Sequence, residues 1–149
     1  MSAEFRHIVR VVDKDIDGTK TVAEALRGVK GIGLRLADII AKKAGVSPEM
    51  RIGFLSEEKI EEIEKVIENP SQYGIPSWLF NRRKDLETGE DKHLISSEID
   101  LQVKADIERE KSIWSWRGYR HAYGLKVRGQ RTRTTGRTGK TVGVSRRRR

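Results

Sequence analysis

The sequence predicts a mainly α protein: a small helical body with a short N-terminal strand or arm, then a long helix, then an extended basic C-terminal tail. Three observations predict it. Apolar residues recur at helical spacing in four segments between Val22 and Trp114. Capping residues, glycines and prolines punctuate those segments. Beyond Trp116 the periodicity stops, and Lys and Arg crowd a stretch with six glycines and few aliphatics. On this reading the 149 residues divide into a globular helical body at 1–96, a long helix at 97–116 and a tail at 117–149.

The elements follow in order. "FRHIVRVV", residues 5–12, is rich in β-branched residues and reads as a strand or extended arm. An Asp-rich turn follows. Thr21 stands three residues before Glu24, a capping box that opens a helix whose apolar face is Val22, Ala25, Leu26 and Val29. Gly28 and "KGIG" break it. The next helix turns Leu36, Ile39 and Ile40 inward and ends at Gly45, a C-terminal cap. Ser56 caps a third helix with a buried stripe of Ile60, Ile63, Val66 and Ile67; its other face carries six Glu and two Lys. "NPSQYGIP" is a turn-rich break, followed by a short aromatic segment and a polar loop. The long helix carries Ile99, Val103, Ile107 and Trp114 as its stripe, interrupted near Glu110. The tail cannot bury enough surface to offset its ordering entropy, so alone it should be largely disordered.

Charge narrows the function. The net charge is +9, but residues 117–149 hold 12 Lys/Arg and no Asp or Glu, while residues 1–116 hold 19 Lys/Arg against 22 Asp/Glu. A tail of that density seeks a polyanion. There is no cysteine, which excludes disulfides, thiolate metal sites and thiol catalysis. No apolar run approaches the length of a membrane span, and "MSAEFRHIVRVVDKD" lacks a signal-peptide core. A soluble intracellular protein is expected. His7, His93 and His121 are scattered, and nothing marks a nucleophile–base pair, so no enzyme, cofactor or metal is expected.

Two motifs mislead. Asp13, Asp15, Asp17, Gly18 and Glu24 fit the calcium-loop pattern, but a strand-like segment precedes them, Lys20 stands beside the proposed ion and no sister loop exists. "TTGRTGKT" ends like a phosphate loop at Gly139, Lys140 and Thr141, yet the first glycine would fall at Thr134. A third motif counts. "VKGIGLRLA" places a Gly-x-Gly turn between two helices, a helix–two-turn–helix-like element. It is either a plain turn or a phosphate site. Gly31 and Gly33 permit close approach, the amides opening the second helix can bind phosphate, and Lys30 and Arg35 add charge. In the tail, "QRTRT" in extended form would alternate Arg131 and Arg133 with Thr132 and Thr134. Guanidinium forks suit phosphates and guanine edges; hydroxyls suit phosphates and ribose. Tyr119, His121 and Tyr123 add stacking faces.

"RGYRHAYGLKVRGQRTRTTGR", residues 117–137, closely resembles the signature of the universal small-subunit ribosomal protein thirteen family. The "GIG" turn and the helix before the tail stand in the same order, and the resemblance runs from about Phe5 to Ser145. "IPSWLFNRRKDLETGEDKHLI" and "TGKTVGVS" are similar to the archaeal and eukaryotic branch, with archaeal the better fit. The resemblance implies a structural rRNA-binding protein in the head of the small subunit, cytoplasmic and ribosome-bound. It implies contacts with small-subunit rRNA, neighbouring head proteins, a large-subunit protein across the interface and transfer RNA in the peptidyl site. It extends the RNA-binding set to Arg117, Arg120, His121, Lys126, Arg128, Gly129, Gln130, Arg137 and Lys140; Arg146, Arg147, Arg148 and Arg149 join them by charge. The rivals are a DNA-binding or repair protein, which would need catalytic residues, and a chaperone using the acidic helix.

Overall fold

The computed structural model describes residues 5–136. Among them are five α-helices and one two-stranded sheet, so the mainly α expectation holds. The chain groups into two compact units that divide after Leu101.

In the first unit, β1 (Ile8–Val11) pairs antiparallel with β2 (Lys14–Asp17), with Val9 opposite Ile16. Alternation buries Val9, Val11 and Ile16 and exposes the charged residues between them. The second strand corrects the expected Asp-rich turn: Asp15 and Asp17 lie on the outer face of a strand. The connection is the pair Val12 and Asp13. Such a short link needs left-handed backbone. Val12 adopts it (φ 55), a strained state for a β-branched residue. Its N–H donates to Glu64 Oε1 at 2.7 Å, which holds it there. Asp17 accepts from the Thr19 amide and hydroxyl at 2.9 and 2.8 Å. Those bonds hold its carboxyl below the usual carboxylate range.

The three body helices follow their apolar spacing. α1 (Val22–Arg27) is capped by Thr21, whose hydroxyl accepts from the Glu24 amide at 3.4 Å. α2 (Leu34–Lys43) buries Leu36 and Ile40, with Ile39 half-buried. It ends as expected at Gly45 (φ 68): the Val46 amide reaches the Ala41 carbonyl at 2.9 Å and the Gly45 amide the Lys42 carbonyl at 3.1 Å. That pair of bonds satisfies carbonyls the helix end would leave open. α3 (Glu57–Glu68) buries Ile60, Ile63, Val66 and Ile67. Ser56 stands at its N-cap without a side-chain capping bond. Each of these fully buried aliphatic side chains stabilises the body by about 1.5–3 kcal/mol relative to exposure.

The segment after α3 is fastened to the same core by Ile75, Phe80 and Ile95. Its polar loop is closed by Asn81, whose side chain donates to the Leu94 carbonyl at 2.7 Å and accepts from the Leu94 amide at 2.9 Å. Arg82 Nε meets Asp85 Oδ1 at 3.0 Å, and this bond holds the Asp85 carboxyl below its ordinary range.

The long helix differs from expectation. α4 (Ser96–Ser112) buries none of its residues: Ile99 and Ile107 are half-buried, and Val103 is exposed. It stops at Ser112, not at Trp116. Trp114 takes a left-handed backbone (φ 54) that no helix continues. A new helix, α5 (Trp116–Ala122), then opens inside the segment expected to lack structure.

Candidate nucleic-acid interface

The Gly-x-Gly turn joins α1 to α2. Val29 and Ile32, both buried, anchor it from below. Its two glycines have different work. Gly31 is left-handed (φ 102), and a β-carbon there would stand 2.7 Å from the Leu94 carbonyl oxygen and 2.9 Å from Ile99 Cδ1. The neighbouring Lys30 is tied to the same segment, though its side chain stays exposed. Its carbonyl accepts from the Ser96 amide at 2.9 Å, and its Nζ meets Asp100 Oδ1 at 2.5 Å. His93 packs beside this turn. Its Nδ1 accepts from the Asn81 amide at 3.4 Å and its ring centroid lies 5.9 Å from that of Phe80. Nε2 is buried and makes no hydrogen bond. Burial lowers the imidazole pKa, and the Gly31 backbone offsets that only in part.

Gly33 is the reverse case. It is exposed, and a β-carbon there would meet nothing within 4 Å. It is the N-cap of α2, in extended backbone (φ −91, ψ 172), with no side chain capping the helix. No acidic residue occupies the first turn, and Arg35 is exposed beside it. The free amides and the positive end of the helix dipole therefore face open space, with an exposed guanidinium side chain in the same first turn. Of the four turn residues expected to contact RNA, Gly33 and Arg35 face outward; Lys30 and Gly31 fasten the turn to residues 94–100.

In the second unit, α4 and α5 meet at a tight corner. Ser115 caps α5: its hydroxyl accepts from the Gly118 amide at 3.0 Å and donates to Glu110 Oε2 at 2.5 Å. Glu110, which interrupts the expected stripe, thus has a polar task at the corner. Gly118 is buried because the α4 backbone passes where a side chain would stand; a β-carbon would overlap the Glu110 carbonyl and lie 2.8 Å from the Lys111 amide nitrogen. α5 ends at Gly124 (φ 65), with the Leu125 amide on the Arg120 carbonyl at 2.9 Å and the Gly124 amide on the His121 carbonyl at 3.2 Å.

Trp116, Tyr119 and Tyr123 line one side of α5. The first two rings are nearly parallel, 12° apart with centroids at 6.0 Å; the second two are 47° apart at 4.7 Å. The Arg120 guanidinium lies 5.8 Å from the Trp116 ring centre, and its Nε donates to the Lys126 carbonyl at 2.8 Å. Arg117 is exposed and His121 half-buried. Lys126, Arg128, Gln130, Arg131, Thr132, Arg133 and Thr134 are all exposed. The run is not straight. Bends fall at 127–129 and 133–135, Gly129 is left-handed (φ 72), Gln130 Oε1 accepts from the Arg128 amide at 2.9 Å, and the Thr135 hydroxyl donates to the Arg131 carbonyl. Simple alternation of Arg and Thr therefore does not extend along it. Arg137, Lys140 and Arg146 to Arg149 lie outside the described residues.

Sequence reasoning passed over Trp116, Ser115 and Gly118. The cues were present: a Ser at a helix start, a Gly just past its end, and rings three and seven residues apart. Among the described residues no group of three or more His, Asp or Glu is placed to hold a metal ion, and no helix is long and apolar enough to cross a membrane.

The family model described as ribosomal protein S13/S18 matches residues 10–138. The small ribosomal subunit protein uS13 of Staphylothermus marinus is 58% identical over 97% of this chain and 96% of its own length. The uS13 of Saccharolobus solfataricus is 53% identical, covering 98% of this chain and 88% of that protein. The uS13 of Methanothermobacter thermautotrophicus is 50% identical over the full length of both.

Proposed function

The chain belongs to the ribosomal protein S13/S18 family, and from that premise we infer that it is a structural protein of the small ribosomal subunit, binding rRNA and acting in translation on the cytoplasmic ribosome. The family's near full-length match carries the reading. The charge pattern supports it: residues 113–136 hold six Lys or Arg and no carboxylate.

The finer assignment is our own. The protein sits in the head of the subunit, beside other head proteins, with a large-subunit protein and the peptidyl-site transfer RNA within reach. Two surfaces touch RNA. One is the start of α2 at Gly33 and Arg35, whose amides suit a phosphate. The other is the basic run from Arg117 through Arg133, with the more distal cations to Arg149 continuing it. The globular body, the helix that follows and the basic tail then divide the work between shape and charge.

Sedimentation tests the function. The tagged protein should travel with small subunits and intact ribosomes in a gradient, and leave them at high salt. Migration with nucleoid DNA instead would favour the DNA-binding rival and sink this reading.

The two turn glycines test the phosphate contact. Gly33→Val points into open space, so the fold should persist while rRNA affinity falls, because the side chain holds the phosphate off the amides. Gly31→Val should destabilise the body itself, since a left-handed residue would collide with Leu94 and Ile99. Unchanged rRNA affinity in folded Gly33→Val would make the turn purely structural.

A further inference from the structure

We propose that the aromatic face of α5 is a stacking platform for unpaired bases of RNA, with Trp116 as its anchor. This rests on the RNA-binding reading above and adds which part of the RNA is recognised.

Trp116, Tyr119, Arg120 and Tyr123 stand three, four and seven residues apart, the spacing of one helical face. The end rings are open: Trp116 is 71% exposed and Tyr123 65%, with Tyr119 between them at 40%. Tryptophan in a folded chain is usually well buried, so open rings this close together mark a surface built for a ligand. The platform is also fixed in place. Gly118 packs its helix onto α4, Ser115 and Gly124 cap its two ends, and Arg120 is held over Trp116 by its bond to the Lys126 carbonyl. Little ordering entropy remains to be lost when a ring face is covered.

Charge selects the ligand. An apolar protein surface would cover the rings but offer no anion to the basic run that continues from the same helix. A strand of RNA offers ring faces and phosphates together, and base stacking on aromatic side chains tolerates any base. The bases must be unpaired. In an A-form duplex the faces are hidden in the stack and only edges and backbone are accessible. The ligand class is therefore a loop, bulge or single-stranded segment.

The test uses the full-length chain carrying Trp78→Phe and Trp114→Phe, which leaves Trp116 as its one indole. It is titrated with a hairpin RNA containing an unpaired bulge and with a fully paired hairpin of equal length. Trp116 emission should be quenched strongly by the bulged RNA and weakly by the paired one. In the otherwise wild-type chain, Trp116→Leu should weaken binding to the bulged RNA by about tenfold, with the paired RNA and the salt dependence unchanged. Trp116→Tyr should restore most of that loss, since a ring returns; this separates stacking from damage to the corner. Equal quenching by both RNAs, or unchanged affinity of Trp116→Leu for the bulged RNA, would overturn the proposal and leave the face to a protein partner. Failure of both RNAs to bind in a salt-dependent way would instead strike the RNA-binding reading on which it rests.

Discussion

Deleting residues 126–149 should remove most of the RNA affinity and nearly all of its salt dependence. That segment holds ten of the 31 Lys and Arg and no carboxylate; the rest of the chain has 21 Lys/Arg against 22 Asp/Glu and attracts a polyanion weakly. Each phosphate neutralised releases condensed counterions. If roughly half of the ten cations meet phosphate, log K should fall against log salt with a slope of about −4 to −5. Affinity of the intact chain should then drop about 250- to 1000-fold for a fourfold rise in salt. The cut is placed beyond Leu125 so that the cap of α5 at Gly124 survives; because it also removes the Lys126 carbonyl that accepts from Arg120 Nε, Arg120→Ala in the intact chain is the control for that bond. Filter binding or fluorescence titration across a salt series measures both quantities. Within the segment, Arg131→Ala with Arg133→Ala should cost about 1–3 kcal/mol for each true bidentate base contact, and less if both meet only phosphate. A truncated chain that keeps the full affinity and slope would move the RNA anchor to the body and reserve the tail for another partner.

What the sequence made legible depends on the kind of signal each element sends. α2 and α3 announce themselves because Leu36 and Ile40, and Ile60, Ile63, Val66 and Ile67, lie on faces that the body covers. Gly45 marks the end of α2 because only the left-handed residue past a helix calls for glycine. β2 was hidden: Lys14, Asp15 and Asp17 are poor strand formers, and the pairing with β1 overrides them, with Ile16 as the lone inward residue. The stripe of α4 showed a different limit. Periodicity reveals that a face is apolar but not whether anything covers it, and Val103 is left exposed. α5 escaped because its face is aromatic and cationic and so does not read as a core. In the turn, both glycines of Gly-x-Gly looked equivalent. Their difference comes from Leu94 and Ile99, more than sixty residues away, and Lys30 likewise pairs across the surface with the distant Asp100. Such long-range partners leave no local mark. The basic run was the clearest feature of all, since charge density needs no partner to be seen.

Replacing Gly118 should have the largest effect of any single substitution in the second unit. A β-carbon at 118 would overlap the Glu110 carbonyl and crowd the Lys111 amide, and these are backbone atoms of α4 that no rotamer change can move aside. The corner must open. The Ser115 hydroxyl then loses the Gly118 amide, and with it the cap of α5. A seven-residue helix has almost no stability of its own, because its few hydrogen bonds cannot offset the cost of nucleation. Gly118→Ala should therefore melt α5, and Gly118→Val more completely. Hydrogen exchange should show the amides of 119–122 losing their protection, and the near-ultraviolet signal of Trp116 should fade. RNA binding should weaken with them, since the rings and Arg120 lose their fixed order, while the body keeps its unfolding transition because its core draws on residues 9–95. Gly124→Ala is the control. It also sits in left-handed backbone, but in open space, so it should cost only about 1 kcal/mol and leave the corner closed. If Gly118→Ala leaves the amides of α5 as protected as those of the wild type, the close approach of the two helices is not what holds the platform. The rigidity argued for Trp116 would then have to come from the caps alone.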